Sequence, residues 1–370
     1  MKKVAIKNLF VLGAVALASS AAFAQAAASS VQLYGIVDAA YRHTTNTDPT
    51  QASGKLIGDG MSQSRWGINV TEDLGNGLKA LANLENRFTT DTGSTAGGYP
   101  NGSYFQQSWV GLQSSTLGRL TMGRQYNVLF DLVTTTYASY PYSPYMEAYK
   151  PEIGFALLAR ADNMIKYTAE MGPIRGALQY SFGEKAAAGG KTAGGYVRYA
   201  ANGLAAGVGY QDYEFASGKK IKAYTLGGSY RTGPMYFNLG YGENKVDANL
   251  PASDAGVLGA MWGSAANGGF GGGAMFLNAN KRTIIKVGAG YQMTPQLNLG
   301  AHYYHTKQSG ATSAVDATAN FLTFAADYAF SKRTDAYLEL DNTKLKGGNI
   351  KFASGATTRT GYTIGLRHRF

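Results

Sequence analysis

From Val31 to the last residue, apolar and polar side chains alternate with a period of two, in segment after segment of about ten residues. Val31, Leu33, Gly35, Val37, Ala39 and Tyr41 share one parity, while Gln32, Tyr34, Asp38 and Arg42 share the other. The pattern returns at 174–182, at 297–306 and in the closing stretch, where Tyr362, Ile364, Leu366, His368 and Phe370 alternate with Thr363, Arg367 and Arg369. A helix would instead repeat its apolar residues every three or four positions. Segments this long exceed the usual strand of a soluble sheet, about 5–6 residues. They match a tilted bilayer crossing, which takes about 9–11.

Strands are predicted at 31–42, 64–74, 77–88, 104–114, 118–126, 162–169, 174–183, 193–201, 204–214, 220–231, 234–244, 282–292, 296–307, 318–330, 333–344 and 359–370, sixteen in all. Short connections carry turn residues, as at Gly75-Asn76, Asn202-Gly203, Thr232-Gly233, Thr294-Pro295 and Ser331-Lys332. Long ones at 43–63, 89–103, 127–161 and 245–281 fall on the opposite rim. An even number of strands, joined by short turns at one end and long loops at the other, describes a transmembrane barrel. A secreted β-sandwich also alternates, so the aromatic residues decide between them. Tyr199, Tyr230, Tyr291, Tyr328, Phe330 and Phe370 gather at one set of strand ends, and Tyr41, Phe88, Phe182 and Tyr241 at the other. Two such bands match interfacial girdles, whereas a sandwich core would concentrate its rings at mid-strand.

Composition agrees. Only 15% of residues are charged and 49 of the 370 are Gly, a poor basis for a helical enzyme, and 45% are hydrophobic, which excludes disorder. There is no Cys, so disulfides and thiol chemistry are excluded. The first segment, 1–24, reads as an export signal: Lys2, Lys3 and Lys7 precede a short apolar run, and Ala22-Phe23-Ala24 offers a cleavage site. Residues 25–370 then form a single barrel domain, with 31 basic against 23 acidic residues once those three lysines are gone.

Particular residues also carry a family likeness. They are Ser30-Val31-Gln32-Leu33-Tyr34-Gly35, Ser64-Arg65-Trp66-Gly67, the run from Glu72 to Ala80, Gly123-Arg124-Gln125, and Arg160-Ala161-Asp162-Asn163 with Ile165-Lys166-Tyr167, before a terminal Phe. In this order the chain resembles the general porins of the Gram-negative outer membrane, most of all the β-proteobacterial trimeric porins. The resemblance implies an all-β, sixteen-stranded antiparallel barrel whose third long loop, about 127–161, folds into the channel. It implies a homotrimer set in outer-membrane lipid and lipopolysaccharide, passing ions and small hydrophilic solutes without a cofactor. It further implies that the strand ending in Phe370 is read by the barrel-assembly machinery.

Other chemistry finds little support. His302 and His305 fall on opposite strand faces and cannot chelate one metal, no Gly-x-Ser-x-Gly elbow occurs, and Gly268–Gly273 lacks the Lys and helix of a phosphate loop. The positive charge comes without a basic run or a nucleic-acid motif. A barrel enzyme or a passenger translocator is the alternative class. A translocator carries a large passenger ahead of its strands, and here the first strand begins seven residues beyond Ala24.

Charge on the inner parity is where selectivity arises. That parity holds Arg42, Arg65, Lys79, Arg87, Lys166, Arg175, Arg198, Lys286, Arg359, Arg367 and Arg369 against Asp38, Glu85, Asp327, Asp335, Glu339 and Asp341, a basic wall. The resemblance places Arg65 and Arg160 opposite the inserted loop, and parity adds Arg87. Asp131, Glu147 and Glu152 are the loop acids that oppose them. A modest anion preference follows if the arginines prevail; the alternative for each arginine is a salt bridge to a nearby acid, as of Arg87 to Glu85.

Overall fold

The structure is a computed structural model that describes residues 29–47, 50, 52–95, 104–139, 151–184, 190–262, 279–348, 350–352 and 354–370. The proposed export signal and Glu147 lie outside the described residues. The strands are β1 (Ser30–Thr44), β2 (Gly54–Gly58), β3 (Arg65–Gly75), β4 (Leu78–Arg87), β5 (Phe105–Ser114), β6 (Gly118–Tyr126), β7 (Arg160–Met171), β8 (Ile174–Ser181) and β9 (Lys191–Ala201). They continue with β10 (Leu204–Glu214), β11 (Lys220–Thr232), β12 (Met235–Val246), β13 (Ala279–Gln292), β14 (Leu297–Gly310), β15 (Ala317–Ala329), β16 (Thr334–Lys346) and β17 (Thr358–Arg369). Two short helices, α1 (Val128–Thr136) and α2 (Ala255–Trp262), lie in long connections. Neither is long and apolar enough to cross a membrane, and the crossing falls to the strands.

From β3 onward each strand pairs antiparallel with the next, and β17 returns to β1 with Ile36 opposite Arg369 and Thr44 opposite Gly361. The sheet is closed, which removes the unpaired edges that no bilayer tolerates. On its other side β1 meets two segments in line: Ala39 faces Gly58 of β2, and Ile36 faces Arg65 of β3. Together β2 and β3 make one interrupted stave, so the seventeen segments form a sixteen-stranded barrel. The reading of 43–63 as loop throughout is therefore corrected at 54–58. Gly-Lys-Leu-Ile-Gly is too short to display a period, and only pairing with the upper half of β1 makes it a strand.

Between β2 and β3 the chain leaves the stave and bends over the inner wall. Asp38 fastens it, accepting from the Gly60 N–H at 3.0 Å, the Ser62 N–H at 2.8 Å and the Tyr337 hydroxyl at 2.5 Å.

The distribution of exposure is inverted relative to a water-soluble sheet. Leu178, Val197 and Leu239, 66%, 57% and 60% exposed, point outward, while their strand neighbours Gln179, Tyr196 and Asn238 are buried inside. An apolar belt running round the whole outer face is untenable in water and ordinary in hydrocarbon. Exposed Tyr199, Tyr230, Tyr291 and Tyr328 mark the short-turn rim, and Tyr41, Tyr180, Tyr224 and Tyr362 the long-loop end. The closure is finished by Phe370, whose backbone exchanges hydrogen bonds with Gly35 (3.0 and 3.1 Å) and whose ring fills the space where a Gly35 side chain would stand.

Candidate functional site

At the long-loop end of the wall, three arginines from separate strands converge on one carboxylate. The β3–β4 register sets Arg65 opposite Arg87 and Gly67 opposite Glu85, and Tyr126 faces Arg160 across β6 and β7. Glu85 Oε1 lies 3.1 Å from Arg87 Nε and 4.0 Å from Arg160 Nη2; its Oε2 lies 3.8 Å from Arg65 Nη1. Tyr126 bridges the group, its hydroxyl accepting from Arg87 at 2.7 Å and from Arg160 at 3.1 Å. The Arg160 guanidinium also covers the Tyr126 ring, 4.6 Å from its centre, and Phe130 stacks on the same ring at 4.6 Å. Among the described groups, three guanidinium groups share the one carboxylate of Glu85. The Glu85 pairing weighed for Arg87 is thus present, and it is shared with Arg65 and Arg160.

The connection between β6 and β7 departs beside this cluster. Asn127 caps α1 by accepting from the Phe130 N–H at 2.8 Å, and its amide donates to Ala156 O at 3.0 Å and Leu158 O at 2.8 Å, clasping both ends of the segment. The apolar side chains Val128, Leu129, Leu132 and Val133 are buried. Inward-parity side chains of strand after strand hold the backbone: Gln179 accepts from Val128 N at 2.7 Å, Ser229 donates to Thr136 O at 2.5 Å, Tyr236 to Ala138 O at 2.7 Å, and Asn244 to Gly154 O at 2.8 Å. Tyr137 fits between Gly227 and Gly240, where added Cβ atoms would fall 2.5 and 2.7 Å from its ring. Its hydroxyl bonds Thr225, and burial pushes its pKa up.

Asp131 and Glu152 both meet wall lysines. Lys166 Nζ lies 2.7 Å from Asp131 Oδ2 and donates to Tyr126 O, also at 2.7 Å. Lys286 pairs with Glu152 and reaches Tyr137 O, while Glu152 accepts from Ser139 N at 3.0 Å and from the Tyr304 hydroxyl at 3.2 Å. The structure brings Arg65, Arg87 and Arg160 together and directs Asp131 and Glu152 to these lysines. Sequence reasoning missed Tyr126 and both lysine partners; the inward parity of Lys166 and Lys286 was the available signal. Among the described residues, no three His, Cys, Asp or Glu side chains assemble as a metal site.

A closed sixteen-stranded barrel with a charged inner wall defines a channel-type membrane protein. The family profile of Gram-negative porins matches residues 13–348, and the chain belongs to that family. Outer membrane porin protein 32 of Delftia acidovorans is 29% identical over 397 residues, with 98% of this chain and 99% of the relative covered. An outer membrane porin protein of Bordetella pertussis is 30% identical over 257 residues, covering 64% of this chain and 60% of its own length. Among solved structures, an anion-selective porin from Comamonas acidovorans superposes with a TM-score of 0.73 at 24% identity, covering 93% of this chain and all of that one. OmpT of Vibrio cholerae, in its trimer form, gives 0.68 at 17% identity, with 93% of this chain and 100% of that chain covered.

Proposed function

We propose that the chain forms a water-filled outer-membrane channel through which ions and small hydrophilic solutes diffuse passively, with a modest preference for anions. The convergence of Arg65, Arg87 and Arg160 on the single carboxylate of Glu85 carries the sign. Fixed charge discriminates only within a Debye length, about 8 Å at physiological salt, so the narrowest section dominates. In this reading the described parts of the β6–β7 connection, 127–139 and 151–159, supply that narrowing on the inner face, and their acids Asp131 and Glu152 are engaged by Lys166 and Lys286. Glu147 is the third loop acid in this reading. No catalytic step or cofactor enters, since diffusion is driven by the gradient alone.

Residues 1–24 serve as the removed export signal, and Phe370 as the signal for barrel assembly in this reading. Three copies assemble in lipid and lipopolysaccharide, a partnership supported by the trimeric relative. Planar-bilayer recording in a salt gradient tests the function: stepwise open conductance with an anion-side reversal potential is expected. Cation selectivity would overturn the sign, and absence of stable conductance the channel itself.

A further inference from the structure

The outer face of β14–β16 changes character toward the long-loop end. Lower on these strands the outward side chains are apolar, with Leu322, Phe324, Leu338 and Leu340 exposed. Higher up they turn polar: Asn320 accepts from the Tyr303 hydroxyl at 2.8 Å and meets His305 Nδ1 at 2.7 Å. Lys344 of β16 stands level with Asn320, and one outward step higher Lys307 of β14 and Lys346 of β16 flank Thr318. Two strand spacings, about 10 Å, separate the backbones of Lys307 and Lys346. All three lysines are exposed, while their neighbours Thr306, Gln308, Thr343 and Leu345 are buried on the inner side. The ammonium groups therefore leave the barrel on its lipid face.

Among the described residues, no carboxylate lies within ion-pair distance of Lys307, Lys344 or Lys346. The outward acid of the same row, Glu243, is held by Lys245 at 2.9 Å and Lys281 at 2.8 Å. Three like charges on so small an area repel one another, and an anion supplied from outside relieves them. Their position selects which anion: its charge must sit at the membrane surface and the rest of it in hydrocarbon. The same strands receive that second part. About 13 Å down β16 from Lys344, at four residues of rise, Leu340 and Phe324 border an apolar groove. Its volume is about 400 Å3, and its lining is cut back to Ala289, Ala301 and Ala326. That depth approaches one leaflet of hydrocarbon, about 15 Å.

We propose that Lys307, Lys344 and Lys346 form a docking site for the phosphorylated head of one lipopolysaccharide molecule, with an acyl chain running down β14–β16 into the alanine-lined groove. The lysines supply the charge that the head lacks, and the groove supplies apolar contact below it. The inference rests on the outer-membrane reading, with the long loops outward, and gives its lipid partner a place on the barrel. It does not rest on conduction, since every residue involved faces away from the channel.

The probe is lipid A carrying two phosphates, titrated into the folded full chain in detergent free of lipopolysaccharide, with bound lipid counted by native mass spectrometry. Saturable binding is expected. Lys307→Gln, Lys344→Gln and Lys346→Gln should each weaken it about fivefold, and the triple variant about a hundredfold. Lys332→Gln, the same charge change at the short-turn rim, should leave it intact. Lipid A stripped of its phosphates should bind the wild-type chain no better than intact lipid A binds the triple variant, a comparison that needs no mutant to fold. A large excess of inorganic phosphate should fail to displace the lipid, because the groove holds its chain. Wild-type affinity in the triple variant, equal binding of the stripped lipid, or full displacement by phosphate overturns the proposal. So does a dimer of the lipid-free chain that the triple variant abolishes, since a second copy would then own this face. In planar bilayers the triple variant should conduct as the wild type does. A chain that binds lipid A here yet passes no current would overturn the channel reading alone and leave this site standing.

Discussion

Lys286 and Glu152 form an ion pair across 134 residues of sequence, with both side chains shut away from solvent, 0% and 3% exposed. One belongs to a membrane-spanning strand and the other to the β6–β7 connection, so the pair ties the loop to the far wall of the barrel. Removing one partner of a buried pair leaves the other charge uncompensated, at a cost of about 3–5 kcal/mol. Lys286→Met is therefore expected to lower the urea midpoint of the folded barrel in detergent, and adding Glu152→Gln should restore part of it. An unchanged midpoint in the single variant would refute the tether.

Glu85 is the one described acid within ion-pair distance of three arginines, so its charge controls theirs. Glu85→Gln should move the reversal potential further toward anions. Arg65→Ala, Arg87→Ala and Arg160→Ala should each move it toward cations. A unit charge about 8 Å from a passing ion in water contributes about 0.5 kcal/mol, roughly twofold in the permeability ratio. These shifts should shrink as salt rises toward about 1 M, where the screening length falls to about 3 Å. Equal reversal potentials in all four variants would remove the cluster from any selective role.

Tyr137 occupies the gap over two inward glycines, and a larger residue there must displace it. Gly227→Leu is expected to break the Tyr137–Thr225 hydrogen bond and loosen the loop, without touching the outer surface. Single-channel records should then show added current noise and a larger open level. Quiet, wild-type conductance would mean that the loop's position does not depend on this seat.

Closure of the barrel depends on Phe370 lying over Gly35. Gly35→Val places a branched side chain where the ring sits, and the expected result is a lower yield of heat-modifiable, compact barrel on gel electrophoresis. Overpacking of this kind costs about 1–3 kcal/mol. Wild-type yield from the Val variant would show that the ring moves freely. The small residue at 35 has its partner, the Phe370 ring, within its own chain.

Sixteen staves, their polarity and the two faces of each were legible from the sequence, because alternation is a local property. Each strand separates hydrocarbon from the inner face by itself, and Leu178 beside Gln179 states that division without reference to any other strand. Parity also placed Arg65, Arg87, Lys166 and Lys286 inside. It gives a face, however, and neither a height on the wall nor a neighbour round the barrel. Register and closure bring positions 65, 85, 87, 126 and 160 into one cluster, and the path of the β6–β7 connection delivers Asp131 to Lys166 and Glu152 to Lys286. The short β2 belongs to the same class: five residues have no period of their own, and they become a strand only because β1 extends beyond β3 and offers them unpaired backbone.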